Sequence, residues 1–292
     1  MYELVKINEN DYYVNSPSKV GLVKISDTEV VLIDSGNDKN AGKKIKKAID
    51  ENGWTLKAIY VTHSHADHIG GAKYLSEAYC TEVYAKGIER DFTEHTELEG
   101  AFLYGAQAPS ELKHKFLFAD PSEAEPLLEN TLPSGLTMIS LGGHSFDMVG
   151  FMTKDKTFYI ADSISSRETL DKYKIGYIYD VGKYIETLTL LKGINADLYV
   201  PAHAEASDNI SELIDYNLKA VVDVCEKIEE IVTAPRTFEE ILKELFDTYG
   251  LTMSFEQYAL VGSTLRSYLT YLKGSRRIES KIEDNRLLWI KK

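Results

Sequence analysis

The sequence predicts an α/β fold, and three observations predict it. Short apolar or β-branched runs alternate with amphipathic helical stretches over the first two hundred residues, each run ends abruptly in a polar residue, and glycines mark the places where strand passes into helix. Five runs read as buried strands: 30–33 ahead of Asp34, 58–61 ahead of Thr62-His63, 136–141 ahead of Gly142-Gly143-His144, 158–161 ahead of Asp162, and 198–202 ahead of His203. Between them the 3.6-residue period predicts helices over 41–52, 67–79 and 181–192. Gly36, Gly42 and the pair Gly70-Gly71 supply tight turns or close packing at these junctions.

Residues 88–130 fit the alternation poorly, because Pro109, Pro121 and Pro126 interrupt a stretch rich in Glu, Ala and aromatic residues. This reads as an insertion whose Phe92, Phe102, Tyr104 and Phe116 either wall a substrate pocket, with Tyr177 from further along, or pin the insertion to the core. After His203 the chain turns helical, with an apolar stripe from Ile210 to Val232. Thr237 with Glu240 forms a capping box that opens a helix closed by Gly250, and Ser254 with Gln257 opens another. Two apolar runs around Glu283-Asp284-Asn285-Arg286 then predict a hairpin. The expected organisation is a main domain over 1–232 and a small winged helix-like module over 233–292.

Composition limits the function. The 292 residues are 43% apolar, enough for a large core, and no run approaches the ~18 apolar residues of a membrane span. No leader is read at the N-terminus, so a soluble cytoplasmic protein is expected. Cys80 and Cys225, each within a helical pattern, are expected to be buried free thiols. The net charge of −13 disfavours generic nucleic-acid binding, although residues 235–292 carry ten Lys or Arg against eight Asp or Glu. The tail is thus +2 and the preceding 234 residues −15.

Three of the seven histidines fall within six residues, in Thr62-His63-Ser64-His65-Ala66-Asp67-His68-Ile69-Gly70-Gly71. Imidazole and carboxylate donors in one loop suit Zn²⁺ or a similar cation, and the distance of both cysteines from the motif disfavours a structural zinc site. His95 and His114 stand alone and read as ordinary hydrogen-bonded residues.

Thr-His-x-His-x-Asp-His-x-Gly-Gly resembles the signature of the metallo-β-lactamase superfamily. Further elements follow at strand ends: Asp34 in Leu-Ile-Asp-Ser-Gly, His144 in Gly-Gly-His-Ser, Asp162 in Ile-Ala-Asp-Ser and His203 in Pro-Ala-His-Ala, where the family often has Pro-Gly-His-Gly. The resemblance covers residues 1 to about 205 and implies a four-layer αββα sandwich with the site at one edge of two sheets. It assigns His63, His65 and His144 to one metal, Asp67, His68 and His203 to a second, and Asp162 to both. Asp34 matches a residue that supports the site without binding metal.

Two divalent ions, zinc first with iron or manganese as alternatives, would sit ~3.5–4 Å apart and activate a bridging hydroxide. Asp67 would orient the water or handle its proton, and Tyr104, Lys174, Tyr177 and Tyr179 are the candidate acids for the leaving group. The expected reaction is hydrolysis of a small ester, thioester or lactone. The alternative is a phosphodiesterase acting on single-stranded RNA, since lactamase-beta-2-like proteins carry a similar tail; its phosphate surface would be Lys273, Arg276, Arg277, Lys281, Arg286, Lys291 and Lys292. A non-enzymatic binding protein is disfavoured because no ligand is missing. The expected partner is a small molecule, with no membrane contact and homodimerisation left open.

Overall fold

The computed structural model describes residues 2–292. Strands β1 (Glu3–Lys6), β2 (Asp11–Asn15), β3 (Val20–Lys24) and β4 (Glu29–Ile33) form an antiparallel meander. Helix α1 (Lys39–Glu51) then crosses to β5 (Thr55–Tyr60), which pairs parallel to β4. Helices α2 (Ala66–Ile69) and α3 (Ala72–Tyr79) lead to β6 (Glu82–Ala85), α4 (Ile88–Glu94) and α5 (Glu97–Tyr104) follow, and β7 (Glu125–Pro126) completes a seven-stranded sheet in sequence order. The insertion expected at 88–130 therefore ends as an edge strand.

The second sheet has four strands, ordered β11-β10-β9-β8, with β8 (Leu136–Ser140), β9 (Val149–Thr153) and β10 (Thr157–Ala161) antiparallel. Helices α6 (Arg167–Tyr173) and α7 (Val181–Gly193) precede β11 (Leu198–Pro201), which pairs parallel to β10. Helices α8 (Ser211–Ile231), α9 (Phe238–Tyr249) and α10 (Phe255–Gly274) and the hairpin of β12 (Ile278–Glu283) with β13 (Arg286–Lys291) complete the chain. Asp284 and Asn285 both adopt positive φ at the hairpin turn, the geometry a two-residue connection favours.

The period of two in the strands sorts their side chains into layers. In β4, Val30 and Leu32 join the cluster under α1 and α3, while Val31 and Ile33 join the one between the sheets with Phe151, Tyr159 and Val200. Phe158 and Ile160 of β10 face the other way, into the cluster with α7 and α8. Three buried clusters thus fill the three spaces of an αββα sandwich. The third continues without a break through Ile241, Leu245, Leu265 and Leu272, so the C-terminal helices share a core with the second sheet. Val232, where a domain boundary was expected, is fully buried in that cluster.

Two local expectations change. The single helix expected at 67–79 divides at Gly70-Gly71 into α2 and α3, because the chain presses against the loop after β4: a Cβ on Gly71 would lie 2.2 Å from the Ser35 carbonyl oxygen. Gly71→Ala is therefore expected to destabilise the metal-free protein by about 1–3 kcal/mol in denaturant unfolding. Gly193→Ala, whose Cβ would meet nothing within 4 Å, should show no loss. The second change is Cys80, which is exposed rather than buried because it is the left-handed cap of α3, at φ 50°. Cys225 is buried as expected. No helix among the described residues is long and apolar enough to cross a membrane.

Candidate metal centre

The functional side chains gather just beyond the ends of five strands. Asp34 follows β4 at φ 66°, a conformation a non-glycine residue adopts only when its surroundings hold it there. Its carboxylate accepts from the Thr62 amide (2.8 Å), the Thr62 hydroxyl and His68 Nδ1 (2.7 Å). His63 and His65 lie in the loop after β5, with Asp67 and His68 in the turn of α2. His144 follows β8 through Gly142-Gly143; Gly143 has φ 119°, and a Cβ there would lie 2.3 Å from the Tyr184 amide nitrogen. Asp162 follows Ala161 (φ 47°) at the end of β10, and His203 follows β11.

The seven expected ligand residues converge. His65 Nδ1 lies 3.0 Å from both His63 Nε2 and His144 Nε2. Asp67 Oδ2 lies 3.0 Å from His203 Nε2 and 3.7 Å from His68 Nε2. Asp162 stands between the groups, with Oδ2 3.4 Å from both His144 Nε2 and His203 Nε2, and Oδ1 3.2 Å from His68 Nε2. The donor atoms fall into three sets able to hold an ion: His63, His65 and His144; His63, His68 and Asp162; and Asp67, His68 and His203.

The nitrogens pointing away from the centre explain the inward ones. His63 Nδ1 meets the Thr62 hydroxyl (3.1 Å), whose own proton faces Asp34; His68 Nδ1 donates to Asp34, His144 Nδ1 to the Tyr177 carbonyl (3.2 Å) and His203 Nδ1 to the Pro17 carbonyl (2.9 Å). His65 turns Nε2 toward Glu99, 3.8 Å away. With their outer nitrogens protonated, His63, His65 and His144 turn lone pairs toward one another, the arrangement a cation relieves, while the inward nitrogens of His68 and His203 face the carboxylates of Asp67 and Asp162. Asp162 Oδ1 is buried and receives no well-directed hydrogen bond, as suits a carboxylate waiting for a metal. The donor set, histidine and carboxylate without thiolate, fits two zinc-like ions.

Burial, with the neighbouring imidazoles, holds His63 well below the ordinary histidine range and takes His65 and His144 down to about 4. His68 goes the other way: burial lowers it, but Asp162, Asp67 and Asp34 together raise it well above that range. The Asp162 charge lifts His203 to about 10. Burial raises Asp67, but His68 and His203 outweigh it and bring the carboxyl to about 2. Asp162 is held well below the carboxylate range; burial is again opposed, and outweighed, by His203 and His68.

The expected pocket wall lies elsewhere. A cavity of about 560 Å³ borders His144, Asp162 and His203, and its lining comes from 163–178, α8 and α10. Of the five aromatic residues expected there, only Tyr177 lines it, edge-on to His65 and His144 with ring centroids 5.3 and 5.7 Å apart. Phe92 is buried and packs on Phe102 and Phe146; Phe102 and Tyr104 border a separate hollow; Phe116 is 64% exposed. Phe92 and Phe102 pin that segment down because they find apolar partners closer than the site. Among the candidate acids, Lys174 and Tyr177 line the cavity, whereas Tyr179 packs on Phe146 and Tyr104 is exposed against Phe255.

The insertion supplies two carboxyls that sequence reasoning missed. Glu99 reaches toward His65, and burial, with Glu89 nearby, lifts its carboxyl to about 8. Glu89 is fully buried and accepts from the Ser64 amide (2.9 Å) and hydroxyl (2.6 Å), the Ser145 hydroxyl and the Asp147 amide (2.9 Å). It therefore joins the loop of His63 and His65 to the loop of His144. A glutamate in the first turn of a helix ordinarily faces solvent near the positive helix end, so no pattern singles it out.

Comparison with known proteins agrees with this geometry. A chain from Bacillus subtilis named "Probable metallo-hydrolase YqgX" is 30% identical over 165 residues, 56% of this chain and 72% of that one. "Hydroxyacylglutathione hydrolase" from Nitrobacter hamburgensis is 54% identical over a shorter stretch of 41 residues, 14% of this chain and 16% of the relative. The crystal structure of a "Beta-lactamase domain protein" from Burkholderia ambifaria superposes with a TM-score of 0.78 at 14% identity, covering 99% of this chain and 94% of that one, so the fold is shared through the C-terminal helices. The family model described as "Metallo-beta-lactamase superfamily" matches residues 14–203, the span from β2 to the last histidine, and this chain belongs to that superfamily.

Proposed function

We propose that the chain is a dinuclear metal-dependent hydrolase of small ester, thioester or lactone substrates. The observation that carries this reading is the convergence of His63, His65 and His144 through inward-facing nitrogens, with Asp162 shared toward His68 and His203. Bound there, two divalent cations would acidify a water near neutrality and polarise the substrate carbonyl. His63, His65 and His144 would hold one; Asp67, His68 and His203 the other; Asp162 would reach both. Asp34 and the Pro17 and Tyr177 carbonyls fix which nitrogen of each imidazole faces inward. Asp67, the most exposed carboxylate of the set, can orient a water or take its proton at Oδ2. Tyr177 excludes water from the flank of His65 and His144.

A cavity of about 560 Å³ beside the candidate centre supports a small substrate over RNA. Among the tail cations, Arg277 is already paired with Glu229 (2.6 Å) and Lys281 with Glu283 (2.8 Å), which weakens the phosphate surface an RNA would need. Relatives named hydroxyacylglutathione hydrolase support an acyl substrate. The test combines metal analysis with a panel of esters, thioesters, lactones, phosphodiesters and β-lactams. Two zinc ions per chain and chelator-sensitive acyl hydrolysis are expected; one iron with oxygen uptake, or turnover confined to phosphodiesters, overturns the reading.

Metal loading should also release protons. In the metal-free protein His68 and His203 are protonated at neutral pH, and each must lose its proton to bind a cation. Zinc titrations at pH 7 in buffers of different ionisation enthalpy should report that release, diminishing as pH rises through about 10. The same shifts set the stability of the metal-free form. The contribution of His203 is fully present below 6.5 and lost as pH rises through about 10, whereas that of Asp67 is present above 3.8 and lost as pH falls through about 2.

A further inference from the structure

The cavity beside the candidate metal centre has two walls that the core explains only in part, since Val261, Tyr268, Ile164, Ile175 and Ile178 belong to it and their neighbours do not. Gln257, Leu260, Val261, Thr264 and Tyr268 of α10 line one side, and their spacing places them on a single helix face. The other wall is the segment 163–178. Helix α6 buries none of its residues, yet Leu170 and Tyr173 border the cavity. At Lys174 the chain reverses in a γ-turn, with φ 61°, ψ −47° and the Ile175 amide donating to the Tyr173 carbonyl (2.6 Å), so that residues on both sides of the turn line the same space. The Ile178 amide donates to Thr264 Oγ1 (3.2 Å) and ties this segment to α10.

Leu170, Tyr173 and Leu260 belong to none of the buried apolar clusters among the described residues. Three large apolar side chains thus border an open space continuous with His144, Asp162 and His203, over a floor of buried Ile164, Ile175, Ile178 and Val221. A volume of about 560 Å³ is within the range that encloses an organic ligand. On the other side of His203 lies an adjoining hollow with Lys19, Arg167, Asn209 and Glu212 in its lining, and Ser166 and Glu168 border both spaces.

We propose that the cavity receives the aliphatic acyl chain of the substrate, with Leu170, Tyr173 and Leu260 determining its length. This rests on the hydrolase reading above. The ester or thioester carbonyl sits at the rim formed by His144, Asp162 and His203, and the chain runs between α6 and α10. Water cleaves the acyl C–O or C–S bond, leaving the carboxylic acid in the cavity and the alcohol or thiol in the polar hollow beyond His203. The C-terminal helices thereby select the substrate.

The test uses the full zinc-loaded chain with p-nitrophenyl acetate, butyrate, hexanoate, octanoate and decanoate, which share one leaving group, and calorimetric binding of the matching fatty acids. kcat/KM should rise about three-fold per methylene until the cavity is filled, and fatty-acid Kd should fall in parallel. Leu260→Trp, which fills the cavity, and Tyr173→Ala, at an exposed position whose loss spares the core, should each lower the decanoate-to-acetate ratio about ten-fold. A flat series, or a ratio unmoved in both variants, overturns the acyl site and leaves hydrolysis standing. Chain-length-dependent fatty-acid binding with no ester turned over keeps the acyl site and defeats the hydrolase reading.

Discussion

Asp162→Ala is expected to lower kcat/KM for an acyl substrate by about 10³-fold or more while the chain remains folded. Asp162 is the carboxylate that reaches both groups of imidazoles: Oδ2 lies 3.4 Å from His144 Nε2 and from His203 Nε2, and Oδ1 3.2 Å from His68 Nε2. Removing it takes a negative charge from the midpoint of the donor set, so two cations would face each other with less compensation and at least one should be lost. A second readout separates this from general damage. Asp162 is the main cause of the raised pKa of His203, so the variant's His203 should titrate nearer the ordinary range and zinc binding at pH 7 should release fewer protons. Circular dichroism like the parent's, with less bound metal and less proton release, is the expected pattern; parental metal content together with parental turnover would overturn the assignment.

The convergence of the candidate ligands was legible because its parts announce themselves locally. A buried strand is a short apolar run, and a polar residue at its end must face the sheet edge, so Asp34, His63, His144, Asp162 and His203 could be placed on one rim before any tertiary contact was known. The capping box at Thr237 and Glu240 and the Asp284-Asn285 turn are equally local, and both form. The cavity beside the candidate ligands was illegible because nothing local distinguishes an apolar residue that lines an open space from one that meets a neighbour. On α10 the cavity face at Leu260, Val261, Thr264 and Tyr268 overlaps the core face at Val261, Leu265, Tyr268 and Leu272, so a single stripe reads as core. The aromatics of 88–130 stand away from that cavity for the same reason reversed: their spacing allowed a wall, and packing on Phe146 and Tyr179 claimed two of them first.

Glu89→Gln should destabilise the protein by about 2–4 kcal/mol and weaken metal binding, although Glu89 touches no ligand. Its two oxygens each serve two donors: Oε2 accepts from the Ser64 amide and hydroxyl, Oε1 from the Ser145 hydroxyl and the Asp147 amide. A glutamine of the same shape replaces one oxygen with an NH2 group, which faces donors and leaves one loop's amide buried without an acceptor. Whichever way the amide turns, either the loop of His63 and His65 or the loop of His144 is released. Because His65 Nδ1 lies 3.0 Å from His63 Nε2 and from His144 Nε2 across that junction, the two loops must keep their spacing to present three nitrogens to one ion. Zinc affinity should therefore fall about 10–100-fold, chiefly at the ion held by His63, His65 and His144. A chelator competition that resolves the two ions tests this. Uniform weakening of both ions would indicate general loosening, whereas selective loss of one places Glu89 as the tie between the loops that build its site.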